Sequence, residues 1–132
     1  MFKRRADLTH EQFREYYETK HAVLSLKLYP YFKDYRRNYI DQDQLPAKIE
    51  GHTTSTLNYD VITEITLHCR ADYDRLVRDV MDPVIGKQVI EDEERFMDRS
   101  AHLVFRVDEE VSTIPVTIAS SIDQAASVPR RE

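Results

Sequence analysis

Glycine and cysteine are almost missing from this chain, and so is any surplus of positive charge. Two glycines among 132 residues cannot build a glycine-rich phosphate loop, so no nucleotide cofactor is expected. The single cysteine, Cys69, excludes an intramolecular disulfide and leans toward a reducing compartment. The formal charge of −5 argues against a general nucleic-acid binder, and the basic cluster KRR at Lys3 to Arg5 is too short to reverse that. No apolar run approaches the ~20 residues that span a bilayer, and no secretory hydrophobic region follows Met1. A cytoplasmic protein with no membrane contact is the expectation. His21, His52, His68 and His102 show no HxH, HxxxH or CxxC spacing, and no Ser-His-Asp signature appears. Neither a metal nor any other cofactor is expected.

What is present is the makings of one globular domain. With 41% hydrophobic and 33% charged residues, the chain can bury a core and has no disorder signature over most of its length. Thr9 followed by Gln12 forms a capping box, and Leu8 with Phe13 can close a hydrophobic staple around it. The helix that follows carries Phe13, Tyr17, His21, Leu24 and Leu28 at three- and four-residue spacing. It should fade near Leu28, because Tyr29 precedes Pro30. The puzzle lies within it: His21 is an imidazole on the apolar face.

Beyond the helix, YRRNYI (Tyr35 to Ile40) alternates as a strand, and residues 41–58 read as a long loop or lid with Gly51 as a hinge. YDVITEITLHC, Tyr59 to Cys69, is the best strand. Val61, Thr63, Ile65, Leu67 and Cys69 share one face; Ile62, Glu64, Thr66 and His68 share the other, which is unusually polar. Tyr73, Leu76, Val77, Val80 and Met81 mark a helix that Asp82-Pro83 interrupts, and a second short helix begins near Pro83. AHLVFRV, Ala101 to Val107, alternates as a last strand. Residues 1–110 are expected to form the domain, and residues 111–132 a tail that is partly extended or disordered. The order fits a β-α-β-β-α-β arrangement whose first strand is short or missing, since only MFKRR precedes the helix.

The segments FKRRADLTHEQFREYYETKHAVL, YRRNYI, YDVITEITL and DEERFMDRS, in that order between Phe2 and about Val107, resemble the fungal branch of the EthD-domain proteins. That family sits in the dimeric α+β barrel superfamily. The resemblance implies a ferredoxin-like α+β fold, with an antiparallel sheet and its helices on one face. It also implies a homodimer whose sheets face each other, with a pocket between sheet and helices in each subunit. Fungal relatives are similar to tailoring enzymes of aromatic polyketide pathways, acting as decarboxylases, dehydratases or cofactor-free oxygenases. Family members commonly carry HAP after the first helix; here Val23 replaces the proline.

A lone histidine on an apolar face is more often a satisfied core group than a catalyst. The resemblance favours the second role, since it implies that His21 points into the pocket, where a partly buried imidazole suits acid–base work. Tyr35, Arg37 and Tyr39 share a strand face, and an inward Arg37 needs an acidic partner. That partner is either a protein carboxylate such as Glu64 or the carboxylate of a substrate. Glu64 and His68 are either a dimer interface or a pocket wall. Asp92 and Arg95 read as solvated helix surface; Asp98, beside the final strand, is the better candidate for a binding role. Tyr17, Tyr29, Tyr31, Tyr39 and Phe96 are core residues or the walls of a site for a planar aromatic ligand. The function expected is a cofactor-independent lyase, a decarboxylase or dehydratase, acting on an aromatic polyketide intermediate through His21. A cofactor-free oxygenase and a non-catalytic carrier of a reactive intermediate are the alternatives.

Overall fold

A computed structural model describes residues 1–41 and 58–116. The expected lid, Asp41 to Asn58 with Gly51, lies outside the described residues except for its two ends, as does the tail beyond Val116.

The first helix, α1, runs through three abutting segments: His10–Tyr16 (α), Tyr17–His21 (π) and Ala22–Leu28 (α). Its start is the capping box read from the sequence. Thr9 Oγ1 accepts from Gln12 N at 3.1 Å, and Gln12 Oε1 accepts from Thr9 N at 2.9 Å. Such a cap contributes about 0.5–2 kcal/mol. The buried positions along α1 are Phe13, Tyr17, His21, Ser25 and Tyr29, one in every four residues, with Ala22 beside them. Four residues advance a straight α-helix by about 400°, so this repeat would drift roughly 40° off the face at each step. The π turn, in which Ala22 N–H reaches back to Tyr17 O, takes up part of that drift. Leu24 and Leu28, expected on the apolar face, are only half-buried for the same reason. The wide turn hands the face to Ser25 and Tyr29.

β1, Phe32–Tyr39, pairs antiparallel with β2, Val61–Leu67. It begins three residues earlier than its alternation suggested, across an irregularity between Phe32 and Asp34. Tyr35, Arg37 and Tyr39 share a face with Val61, Thr63 and Ile65 and lie under α1; Arg36, Asn38, Ile62, Glu64 and Thr66 face away from it and are exposed. The short first strand exists as two isolated bridges, Phe2 to Val61 and Arg4 to Met97. Segment 1–5 therefore lies between β2 and residues 96–98, bonded to both (Phe2 N to Val61 O 3.0 Å; Arg5 N to Phe96 O 2.9 Å). This α+β arrangement is compatible with a ferredoxin-like fold.

The strand expected at Ala101 to Val107 does not form. Arg99–Ala101 is a 3₁₀ turn, and only Leu103 bonds to the first segment, donating to Met1 O at 3.1 Å and accepting from the Met1 amino group at 2.6 Å. The neighbour that a fourth strand requires is already taken: residues 2–5 spend their backbone groups on Asp60, Val61 and residues 96–98. Leu103, Phe105 and Val107 are left exposed.

Helices α2, Arg70–Met81, and α3, Ile85–Glu93, meet at a tight reversal. Asp82 Oδ1 accepts from Val84 N and Ile85 N at 2.8 and 2.9 Å. Gly86 is required there, because a Cβ would stand 2.5 Å from Val80 O. Among its residues α2 buries none; it is tied to β1 by Tyr31, whose hydroxyl donates to Asp79 at 2.8 Å beneath the Arg75 guanidinium.

Aromatic rings dominate the core. Phe13, Tyr17, Val61, Phe96, Met97 and Ala22 form it, with Phe2, Leu8, Tyr16, Tyr35 and Tyr39 packed around them. Phe96 is 0% exposed and its ring meets those of Phe13, Tyr16, Tyr17 and His21. Phe96→Ala is expected to lower the unfolding free energy by about 3–5 kcal/mol, read by urea denaturation. Val23→Ala, on the exposed side of α1, should stay within about 0.5 kcal/mol of the parent.

Candidate active site

His21 sits where α1 and α3 meet, 5% exposed. Its ring packs edge-on against Tyr17 at 5.2 Å and tilted over Phe96 at 5.0 Å. Nδ1 lies 2.8 Å from Asp92 Oδ2. A carboxylate oxygen accepts, so Nδ1 carries the ring proton and Nε2 presents its lone pair. Nε2 makes no hydrogen bond among the described residues. Burial holds the His21 imidazole below the ordinary histidine range, against the opposing pull of Asp92. The group at hand is a neutral imidazole with a fixed tautomer, which is what a general base requires.

Asp92 corrects an expectation. The charged run around it predicts solvated helix surface, yet it is 6% exposed. Its position on α3 explains this: Ile85, Val89, Asp92 and Phe96 recur at four- and three-residue spacing and turn inward together. That apolar spacing was the available signal, masked by the run of charges EDEER around it. The second oxygen, Oδ1, accepts from the Tyr16 hydroxyl at 2.8 Å and has Arg95 Nη1 at 3.7 Å.

A second imidazole stands nearby. His102 packs on the Phe2 ring at 4.6 Å and has its Nε2 3.2 Å from Met97 Sδ. Its Nδ1 is 3.8 Å from Glu93 Oε2, which also pairs with Arg99 Nε at 2.9 Å. Burial, with Arg99 and His21 adding to it, pushes the His102 imidazole down to about 4. Burial raises the Glu93 carboxyl, with Arg99 opposing. Sequence reading weighed His102 only as a metal ligand, and its return to this cluster depends on the chain folding back past residue 98.

The other candidate residues are dispersed. Tyr17 and Phe96 do lie against His21, but as core: the Tyr17 hydroxyl is 2.9 Å from Thr63 Oγ1 and accepts from the Tyr35 hydroxyl at 3.3 Å. Arg37 finds its carboxylate in Glu18, on the π turn, and not in Glu64. The contact is bidentate, 2.8 Å from both Nε and Nη2. Tyr39 donates to the same Glu18 at 2.7 Å. Arg37 above all, with Tyr39, holds the Glu18 carboxyl down at about 2. Glu64 instead accepts from Asn38 Nδ2 on the exposed sheet face, and His68 is exposed beyond the end of β2. Neither comes to His21. Asp98 caps the 3₁₀ turn by accepting from Ser100 N and Oγ. Tyr31 is spent on Asp79. The Tyr29 hydroxyl is buried without a hydrogen-bond partner among the described residues, its phenol pushed up to about 12 by that burial.

A family model for the EthD domain matches residues 5–100. The chain belongs to the EthD-domain family. No curated protein and no solved structure matches it. The matched span of the EthD domain contains Tyr16, His21, Asp92 and Phe96, while His102 lies just beyond it. Among the described residues no three His, Cys, Asp or Glu side chains converge to hold a metal. No helix there is long and apolar enough to cross a membrane.

Two expectations follow from these environments. Asp92→Asn removes the carboxylate that favours the charged ring, so the His21 titration midpoint should fall further in an NMR titration. Both imidazoles are held below the unfolded value of 6.5. Between about pH 6.5 and 4 the unfolded chain therefore binds protons that folded His102 refuses, and stability drops as the pH falls through that window. Melting temperatures recorded across it should decline less in His102→Gln than in the parent. An equal decline would place the acid sensitivity elsewhere.

Proposed function

We propose that this EthD-domain protein is a cofactor-independent lyase, a dehydratase or decarboxylase of the fungal polyketide-tailoring kind, with an aromatic polyketide-derived substrate. The observation that carries the reading is the His21–Asp92 pair. A neutral imidazole stands with Nδ1 bonded to a buried carboxylate and Nε2 unengaged among the described residues. Dehydration uses this state directly. His21 Nε2 removes an acidic proton next to a carbonyl, the electron pair forms the new double bond, and the resulting imidazolium protonates the departing hydroxide as water. Asp92 stabilises that imidazolium while it exists. In decarboxylation the carbonyl accepts the electron pair as carbon dioxide leaves, and a proton must then be delivered to carbon, which asks the imidazole to be charged first. The burial that keeps His21 neutral favours the dehydratase. Arg37, committed to Glu18 through two bonds, braces β1 against α1 in this reading and does not hold substrate.

The functional unit we propose is a homodimer of the α+β barrel kind, in which a second copy covers the open sheet face. Arg36, Asn38, Ile62, Glu64 and Thr66 on that face are exposed. Leu103, Phe105 and Val107 alternate along a segment whose residues 104–107 make no backbone hydrogen bond among the described residues. An exposed apolar segment with unpaired backbone groups calls for a partner. Light scattering at micromolar concentration should return twice the chain mass, and a monomer would sink the barrel.

The chemical test uses aromatic β-hydroxy carbonyl and hydroxyaryl acid substrates. Water loss without oxygen uptake is expected; carbon dioxide release would assign the decarboxylase, and oxygen uptake the cofactor-free oxygenase, in which the same base makes a carbanion. Tight binding without turnover would identify a carrier. His21→Gln should leave the fold intact and cut turnover about 10²- to 10⁴-fold.

A further inference from the structure

Tyr16 and His21 are five residues apart and yet hold the two oxygens of one carboxylate. Tyr16 donates to Asp92 Oδ1 at 2.8 Å and His21 Nδ1 lies 2.8 Å from Asp92 Oδ2. In a straight α-helix residues i and i+5 point roughly 140° apart and cannot share a target of that size. The turn that separates them is the π segment Tyr17–His21. A π turn brings i and i+5 back toward one side. The ring of Tyr16 is itself fixed, stacked on Phe96 at 4.9 Å with an interplanar angle of 29°.

We propose that Tyr16 is a positioning residue: held in place by the π turn, it fixes Asp92 and tempers its charge, so that His21 stays a neutral Nδ1–H base. The inference rests on the base role given to His21 above. The physical argument is electrostatic. A carboxylate whose Oδ1 accepts a phenol proton has less charge to offer the imidazole at Oδ2. With the phenol gone, Oδ1 loses its 2.8 Å donor in a site where Asp92 is 6% exposed. The carboxylate then stabilises the imidazolium more strongly. The other charged or titratable groups around the pair are Arg95, 3.7 Å from Oδ1, the Tyr17 phenol whose ring meets His21, Glu93, whose carboxyl the charge of Asp92 helps to raise, and His102, whose imidazole His21 helps to lower. None of these bonds to the Nδ1 side of the imidazole among the described residues. Tyr16 is therefore the hydrogen-bond donor to Asp92 whose removal changes the carboxylate and leaves the contacts of His21 in place, whereas Arg95 stands at 3.7 Å, beyond hydrogen-bond distance.

The test is an imidazole ¹⁵N NMR titration of the full chain, comparing the parent with Tyr16→Phe, Asp92→Asn and Tyr31→Phe. Tyr16→Phe keeps the ring and its stacking, so it should fold; a melting curve checks this. In that variant His21 is expected to bind its proton on the order of 3- to 10-fold more tightly, the scale of the net worth of one ordinary hydrogen bond, with Nδ1 still protonated in the neutral form. Tyr31→Phe, which removes a bond to Asp79 elsewhere, should lower stability without moving the His21 titration. An unchanged or weakened proton affinity in Tyr16→Phe, with Asp92→Asn still shifting it, overturns the positioning role and leaves the base role standing. No change in either variant means the dyad does not govern His21, and both readings fail together.

Discussion

Asp92 carries a carboxylate into a core built of aromatic rings, and a charge placed there must be paired and hydrogen-bonded. That requirement organises the surrounding chain. Tyr16 and His21 supply the two donors, and both come from α1, which can deliver them only by widening one turn. The same wide turn orients Tyr17 into the core between them and returns Ser25 and Tyr29 to the buried face further along. A single departure from α geometry thus serves two purposes. It keeps a four-residue apolar repeat on one side of a helix, and it brings two polar groups onto one carboxylate.

The outer side of the π turn is anchored as well. Glu18, in its second position, takes both the Arg37 fork and the Tyr39 hydroxyl, so the turn is clamped to β1 while its inner side is clamped to α3. Bidentate geometry gives this pair direction as well as energy. Its worth is tempered by solvent, since the Glu18 side chain is 38% exposed. The helix cannot relax to a regular α form without giving up contacts on both flanks. This is why a locally unfavourable turn persists in a domain with so few buried side chains.

Much of this was legible in advance, and the failures share a cause. The capping box at Thr9, the end of α1 before Pro30 and the break at Asp82-Pro83 are local signals, and each appears as read; the strand read over Tyr59 to Cys69 forms over the shorter span Val61–Leu67. His21 stood out because an imidazole conflicts with its apolar neighbours. Asp92 did not, because a carboxylate in a charged run looks like surface unless the spacing from Ile85 and Val89 to Phe96 is followed through it. Arg37 was correctly seen to need an acid, but Glu18 was invisible to a reading that assumed 3.6 residues per turn. The failed strand at Ala101 to Val107 had the right alternation; what it lacked was a neighbour, and sequence periodicity says nothing about whether one is available.

That last failure bears on the chemistry. His102 enters the histidine cluster because the chain turns at Arg99–Ala101 and presses its ring onto Phe2. The segment immediately after it, Leu103 to Val107, is the stretch left exposed with a strand's pattern. If a second copy pairs with that segment, the backbone on which His102 sits becomes part of an interface only two residues from the Glu93 contact. The environment of the second imidazole would then depend on assembly. Glu93 and Asp92 are consecutive, one turned to each histidine, so α3 is the rigid element common to both. The same two carboxylates would couple association to proton affinity, with binding of a second copy and titration of His102 each shifting the other by equal free energy.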